Sequence, residues 1–459
     1  SEASGASGQR SYIVVLEDSV AHPSDVARAQ AKTHHGTLSH IYTAAIKGYS
    51  AKMTPAQAAA LERNPKVKYV ETDDPVELAA QTTPTGILRS LVTENPIADI
   101  DGQDDARVNA DVAVIDTGVD FGHPDLNVYA RTNPAATYAY VDCLEANLEN
   151  ESTGDDACEE KVTPDGYGHG THVAGIVGAI DNDFGVVGVA PGARIWSAKV
   201  FNENGVPGPN GAESAILAAF NWVYEHSNEI DAVNMSFGGT EEFKAWEEAI
   251  AKSVDAGVVF VAAAMNADVD ASIYSPAKFP DVITVSALTD YNGLPGGGAV
   301  PTCTFNGLLG VGPDDALASY SDWGPVVDMA APGSCIYSTV PTGGSHFGSN
   351  YNTASGTSMA APHVAGAAAL MSVSSNPTSR KGVESLRQQL LDEGSLYWND
   401  TSGDGAHEPL LDFGSPARLA VTNPPTPLST YGATLNGVAN AGGQSGTYFF
   451  EFGTTTSYG

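Results

Sequence analysis

Three short segments of this 459-residue chain set a reactive side chain beside glycine-flanked turns: Val114-Ile-Asp116-Thr-Gly-Val, Gly168-His169-Gly-Thr-His172-Val-Ala-Gly, and Ser355-Gly-Thr-Ser358-Met-Ala-Ala-Pro-His-Val-Ala-Gly. A serine hydroxyl is a weak nucleophile until an imidazole takes its proton. The imidazole in turn needs a carboxylate to fix its tautomer and stabilise its cation. An aspartate ending an apolar run lies where parallel sheets gather their sites. His169 and Ser358 each precede a helical pattern, where backbone N–H groups are free to donate. Acid, base and alcohol together spell acyl transfer. Other chemistries fit less well. Asp116-Thr-Gly could belong to a two-carboxylate dyad, but no second Asp-Thr-Gly or Asp-Ser-Gly occurs. His169 and His172 lack the glutamate that would follow the first histidine of a zinc helix. His172 and His363 read as packed helix histidines.

The order Asp, His, Ser excludes the His-Asp-Ser and Ser-Asp-His arrangements of two other hydrolase classes. With these motifs the stretch from about 79 to 420 resembles the subtilisin-like serine proteases, most closely the proteinase K and aqualysin branch, and residues 11–78 are similar to that family's inhibitory propeptide. The resemblance implies that Asp116 orients, His169 is general base and acid, and Ser358 attacks the scissile carbonyl. It implies that Asn266, after the apolar run 262–264, joins the Ser358 N–H as oxyanion donor. Substrate backbone would pair with Ser236-Phe237-Gly238-Gly239 and with the segment around Gly205. Ala263 and Met265 would line the pocket for the side chain before the cut bond. The family usually has Gly where Met265 stands, so Met265 implies a smaller pocket. The junction Pro75-Val-Glu-Leu78-Ala79 resembles a maturation site, and Leu78 before the cut implies room for an apolar residue; medium apolar side chains satisfy both. The resemblance also implies structural calcium. One site would use Asp125, the Asn182 side chain and the carbonyls of Ile180, Phe184 and Val186, a set of hard oxygen donors. A second would use the carbonyls of Pro280 and Val282 with Asp328.

These groups need a frame. Apolar runs at 112–115, 195–200, 232–235, 258–264 and 282–285 alternate with helical stretches at 213–225 and 241–255. That alternation predicts an α/β fold, a parallel sheet with helices on both faces. Before it, strand-like 12–16, 45–53 and 67–71 and helical 24–35 and 54–63 predict a small α+β unit. Thr54 is placed as an N-cap and Pro55 at the first helical position. Residues 143–166 and 289–318 carry no period and read as long loops. After about 423 a Pro-rich linker leads to alternating stretches at 432–437 and 447–452, the start of an all-β, fibronectin-type module. The expected division is a loose leader at 1–10, a propeptide at 11–78, a catalytic domain at 79–422, and linker plus truncated module at 423–459. The chain opens on Ser1 without Met, so an upstream secretory segment is expected.

Composition bounds the partners. Lys+Arg 21 against Asp+Glu 55 gives a net charge of −34, which opposes phosphate backbones and anionic membrane surfaces. The expected partners are therefore protein or peptide substrates and the chain's own propeptide, with no nucleic acid or membrane, for a secreted monomer. No apolar run is long enough to span a bilayer. Four cysteines allow three pairings; proximity favours Cys143 with Cys158 and Cys303 with Cys335. A binding protein that kept a protease fold is the competing reading; retention of Ser358 and His169 argues against it.

Overall fold

The computed structural model describes residues 11–34, 36–72, 81–144, 158–206, 213–303 and 311–414, and the backbone alone of 10, 212, 304–305, 308–309, 419–423, 428–429, 432–433 and 436–440. The chain divides into two compact units, Ser1–Leu78 and Ala79–Gly459.

The first unit runs β1 (Arg10–Leu16), α1 (Pro23–Thr33), β2 (Thr37–Tyr42), β3 (Gly48–Met53), α2 (Pro55–Leu61) and β4 (Val67–Thr72). Its four strands are antiparallel in the order β2-β3-β1-β4. Val14, Leu16, Tyr49, Ala51, Met53 and Leu61 form its core. Thr54 caps α2 as expected: its hydroxyl accepts the Gln57 N–H while the Gln57 side chain accepts the Thr54 N–H. Strand β2 was not legible, because its mixed pattern leaves most of it half-buried or exposed.

The second unit is built on a mostly parallel sheet. In chain order its strands are β5 (Asp111–Asp116), β6 (Tyr140–Asp142), β7 (Arg194–Lys199), β8 (Ala232–Met235), β9 (Val259–Ala263), β10 (Val282–Thr289) and β11 (Met329–Pro332). In space they run β11-β10-β9-β8-β5-β7-β6, all parallel. Short antiparallel strands Ala316–Leu317 and Glu159–Glu160 lie beside β10 and β6. Strands β5, β8, β9 and β10 are buried throughout, which is why they read as unbroken apolar runs. Besides short helical turns at Thr85–Arg89 and Tyr129–Thr132, the longer helices are α3 (His169–Gly178), α4 (Ala212–Glu225), α5 (Lys244–Ala256), α6 (Thr357–Ser375) and α7 (Arg380–Glu393). Helix α6 packs on α3 and on β8, β9 and β10, and α4 packs on α5. Phe260 of β9 meets Phe220 of α4 edge-on at 6.1 Å, both fully buried. Burying such a ring is worth about 1.5–3 kcal/mol.

Two features went unread in the sequence. A hairpin of β12 (Ile336–Ser345) and β13 (Gly348–Ala354) leads into α6; its Gly-, Ser- and Asn-rich strands alternate weakly. The segment 289–318 is not free of structure, since it contains Ala316–Leu317 and the pair Thr304–Phe305 and Leu308–Leu309. Near the end, Leu419–Asn423 pairs with Asn436–Asn440, so Asn423 ends a strand rather than opening a linker. Of the leader expected at 1–10, residues 1–9 lie outside the described residues and Arg10 opens β1; the expected strand at 447–452 also lies outside them. Both cysteine pairs are bonded as proximity suggested, Cys143 to Cys158 and Cys303 to Cys335.

Candidate active site

Strand β5 delivers Asp116 to its C-terminal end, with the side chain only 2 % exposed. His169 is the first residue of α3 and its side chain keeps 17 % exposure. The two meet because the next residue is glycine: a Cβ on Gly170 would lie 2.1 Å from the Gly118 carbonyl oxygen and 3.1 Å from Asp116 Cβ. His169 Nδ1 stands 2.8 Å from Asp116 Oδ1 and 2.9 Å from Oδ2. The carboxylate can only accept, so Nδ1 carries the proton and Nε2 is the free base. Burial pulls the imidazole down; the Asp116 charge, its hydrogen bond and the charge of Asp165 outweigh burial and hold His169 above its ordinary value.

Ser358 lies one strand further along the same sheet edge. Its hydroxyl donates to the Ser236 carbonyl at 3.3 Å, and the Ser236 hydroxyl donates to the Ser358 carbonyl at 2.9 Å. Ser236 follows β8, the neighbour of β5, and adjacent strands stand about 4.8 Å apart. Ser358 and His169 are therefore anchored to adjacent strand ends. No hydrogen bond joins Ser358 Oγ to His169 among the described residues, a contact that in free enzymes often closes only with substrate bound.

Asn266, three residues past β9, is exposed. Its Oδ1 accepts the Thr357 N–H at 2.8 Å and the Thr357 hydroxyl at 3.1 Å, while that hydroxyl accepts the Met265 N–H at 3.1 Å. With Oδ1 committed, Nδ2 is left to donate beside Ser358. The Ser358 N–H, in the first turn of α6, has no intrahelical acceptor. Both N–H groups lie at the start of α6, where a notional Cβ on Gly356 would stand 3.8 Å from Asn266 Nδ2 and 3.7 Å from Ser358 N.

The other expected residues cluster on the same edge. Gly239 exchanges backbone hydrogen bonds with Ser275 at 2.9 and 2.8 Å, and Phe237 packs on Phe201 and Trp246. Met265 holds a positive φ of 90°, strained for a side chain of its size. A Cβ on Gly238 would lie 2.9 Å from Met265 Sδ, so the thioether covers Gly238. Ala263 is buried at the end of β9. Gly205 lies under the Tyr167 ring, 2.7 Å from a notional Cβ. Leu78 and Ala79 lie outside the described residues.

The two expected calcium sets behave differently. Asp125 is fully buried, and its oxygens accept from Asn182 Nδ2 (2.8 Å), the Val186 N–H (2.9 Å) and the Tyr351 hydroxyl (3.2 Å). Burial pushes its carboxyl up to about 7, against those three bonds. Gly185 packs directly against it: a Cβ there would come 2.3 Å from both Asp125 Oδ2 and the Tyr351 hydroxyl oxygen, so only glycine fits. A buried carboxylate whose partners are all neutral is chemically compatible with a hard cation. The second set does not fit. The Arg387 guanidinium, from α7, donates to the Pro280 carbonyl at 2.6 Å and to Asp328 Oδ1 at 2.5 Å, and the Thr284 N–H holds the other Asp328 oxygen at 2.8 Å. An arginine already supplies the positive charge there, so Pro280, Val282 and Asp328 are corrected from metal ligands to an ion-pair site. Among the described residues no group of three or more His, Cys, Asp or Glu side chains is arranged to hold a metal.

Sequence reading missed four residues here: Arg387, Asp165, Gln81 and Tyr351. Gln81 Oε1 accepts the Asn182 N–H at 2.7 Å, tying 81–82 to the Asp125 loop. His172 and His363 are the packed histidines expected. Each bonds a backbone carbonyl through one nitrogen, and burial pushes them down to about 3 and about 4.

The profile of the subtilase family matches residues 109–408, and that of peptidase inhibitor I9 matches residues 11–79. The chain is similar to Subtilisin E of Bacillus subtilis (strain 168), 32 % identical over 378 residues, spanning 81 % of this chain and 82 % of that protein. An alkaline protease of Shouchella clausii is 34 % identical over 322 residues, 70 % and 68 % of the two chains. A solved cold adapted subtilisin-like serine proteinase is 29 % identical, covering 69 % of this chain and 96 % of its own, with a TM-score of 0.46.

Two outcomes are expected. Arg387→Met leaves Asp328 (13 % exposed) without its cation; it should destabilise the Ser358→Ala protein by about 1–3 kcal/mol, less than the cost for a fully buried pair, read from the urea midpoint. The His169 imidazole should titrate above about 6.5 by NMR, and at lower pH in Asp116→Asn. Because the folded value is raised, the protonated imidazole stabilises the fold below about pH 6.5, and that contribution is lost as pH rises through the raised value.

Proposed function

The chain belongs to the subtilase family and is a serine endopeptidase with an N-terminal I9 propeptide domain, and from that premise we propose that it is an extracellular, calcium-stabilised enzyme that matures by its own cut between Leu78 and Ala79. Asp116, His169, Ser358 and Asn266 carry the reaction. Ser358 Oγ attacks the scissile carbonyl carbon while His169 Nε2 takes its proton. Asp116 holds Nδ1–H and stabilises the imidazolium. The carbonyl oxygen, now an oxyanion, accepts from the Ser358 N–H and Asn266 Nδ2. The imidazolium returns the proton to the departing amine, leaving an acyl-enzyme, and water repeats the sequence to free the acid. The observation that carries this reading is the bidentate approach of His169 to Asp116 at the strand edge that also holds Ser358 and Asn266.

Substrate would run beside Ser236–Gly239 as an added strand. The side chain before the cut bond would meet Met265 over Gly238, which favours medium apolar residues such as the Leu78 of the chain's own junction. The match of the peptidase inhibitor I9 profile to residues 11–79 supports a boundary there, and residues 11–78 would be cut substrate and inhibitor at once. Calcium, where bound, adds positive charge beside Asp125; the chain's part is to offer the Asp125 carboxylate, Asn182 and the carbonyls of Ile180, Phe184 and Val186. Two disulfides fit an extracellular setting, and among the described residues no helix is long and apolar enough to cross a membrane.

A fluorophosphonate probe tests the assignment. It should label the mature wild type, whose N-terminus should be Ala79, and leave Ser358→Ala unlabelled. An unlabelled mature wild type points to a non-catalytic binding protein, and an active species that keeps Ser1 contradicts the maturation step. For calcium, a chelator should lower the melting temperature of the Ser358→Ala protein, with saturating ion worth roughly 2.7 kcal/mol at a hundredfold excess over Kd. Asp125→Asn should abolish that dependence.

A further inference from the structure

Four residues before His169, at the close of a stretch that reads as an acidic loop, Asp165 is buried at 2 % exposure. Its Oδ1 accepts the Thr117 hydroxyl at 2.8 Å and the Gly168 N–H at 2.7 Å. Its Oδ2 accepts the Thr171 N–H at 2.9 Å and the Thr171 hydroxyl at 2.5 Å. Burial pushes the carboxyl up, and the four donors, with no acceptor among them, oppose that and favour the ionised form. Two of the donors are first-turn N–H groups of α3, otherwise without partners; a third belongs to the residue after Asp116. Thr117 completes the link, because its hydroxyl also accepts the Gly170 N–H at 2.9 Å.

We propose that Asp165 is a positioning residue for the Asp116–His169 pair: one carboxylate ties the end of β5 to the first turn of α3, and so sets the distance and angle at which the imidazole meets its aspartate. The proposal rests on the reading of His169 as general base. An asparagine at 165 keeps one accepting oxygen and turns an NH2 toward groups that are themselves donors, so the clamp opens on one side. Around His169 and Asp165 the charged and titratable groups are Asp116 on β5, Asp120 beyond it, Tyr140 on β6, Lys199 on β7, whose Nζ donates to the Thr117 carbonyl at 2.6 Å, and His172 on α3. Asp165 is a negative charge acting on the imidazole in addition to Asp116, so neutralising it moves the titration of His169 downward.

The test uses the mature enzyme, a peptide p-nitroanilide with Leu before the cut bond, and active-site titration with a fluorophosphonate so that rates refer to folded, competent molecules. Asp165→Asn should lower kcat per titrated site at least tenfold, with KM within twofold of wild type, and should move the acid limb of the kcat/KM profile to lower pH. Thr117→Val, which removes the hydroxyl's bonds to Asp165 and to the Gly170 N–H but keeps those of Asp165 to Gly168 and Thr171, should lower kcat in the same direction by less, and it decides the matter if Asp165→Asn fails to fold. A merely structural role would lower the melting temperature while kcat per titrated site and the pH midpoint stay at wild-type values; that result overturns the proposal. A wild type that the probe does not label overturns the His169 reading, and this proposal with it.

Discussion

Burying Asp116 takes a carboxylate out of water, which is unfavourable unless something nearby donates to it. The donors are the Thr117 N–H and His169 Nδ1, and nearly every local feature of the site follows from bringing the imidazole to the carboxylate. The imidazole must open a helix, because only there can it reach across the end of β5. The next residue must be glycine, because α3 touches the Gly118 carbonyl at that point. The helix start must then be fixed, and Asp165 and Thr117 do this with hydrogen bonds to both elements. Once the pair is formed, Nε2 is the one basic nitrogen turned outward.

The sheet supplies the second half of the arrangement. Three neighbouring parallel strands, β5, β8 and β9, end at Asp116, just before Ser236 and shortly before Asn266. Helix α6, buried along most of its length, carries Ser358 down to that edge. Small residues line α6 and let it sit close to α3 and the loop that follows it; a Cβ on Gly366 would lie 2.8 Å from Val189 Cβ and 3.0 Å from the Val177 carbonyl oxygen. Ser358 is thus held by Ser236, just past β8, Asn266 by Thr357 at the start of α6, and His169 by Asp116 at the end of β5.

The parts legible in the sequence are those whose signal is local. Asp116, His169 and Ser358 sit in short motifs at element boundaries, and the buried strands are continuous apolar runs. The cysteine pairs were legible because each is close in sequence. What was not legible depends on partners far away in the chain. Arg387 lies on a polar, amphipathic helix where an arginine reads as solvent-facing, yet it reaches Pro280 and Asp328 and takes the place expected for a cation. Asp165 belongs to a stretch rich in acids, and its only sequence signal was an Asp shortly before a helix start. The hairpin of β12 and β13 escaped because glycine and asparagine interrupt its alternation.

The central claim is that Ser358, His169 and the two oxyanion donors act on one carbonyl, although the hydroxyl rests on Ser236 in the free chain. A crystal structure of the mature enzyme phosphonylated by a peptidyl fluorophosphonate tests it most directly. The account predicts phosphorus bonded to Ser358 Oγ, one phosphonyl oxygen within hydrogen-bond reach of both the Ser358 N–H and Asn266 Nδ2, and His169 Nε2 turned to the adduct while Nδ1 stays on Asp116. An adduct whose oxygen points to solvent, or an imidazole that has left Asp116, would contradict it.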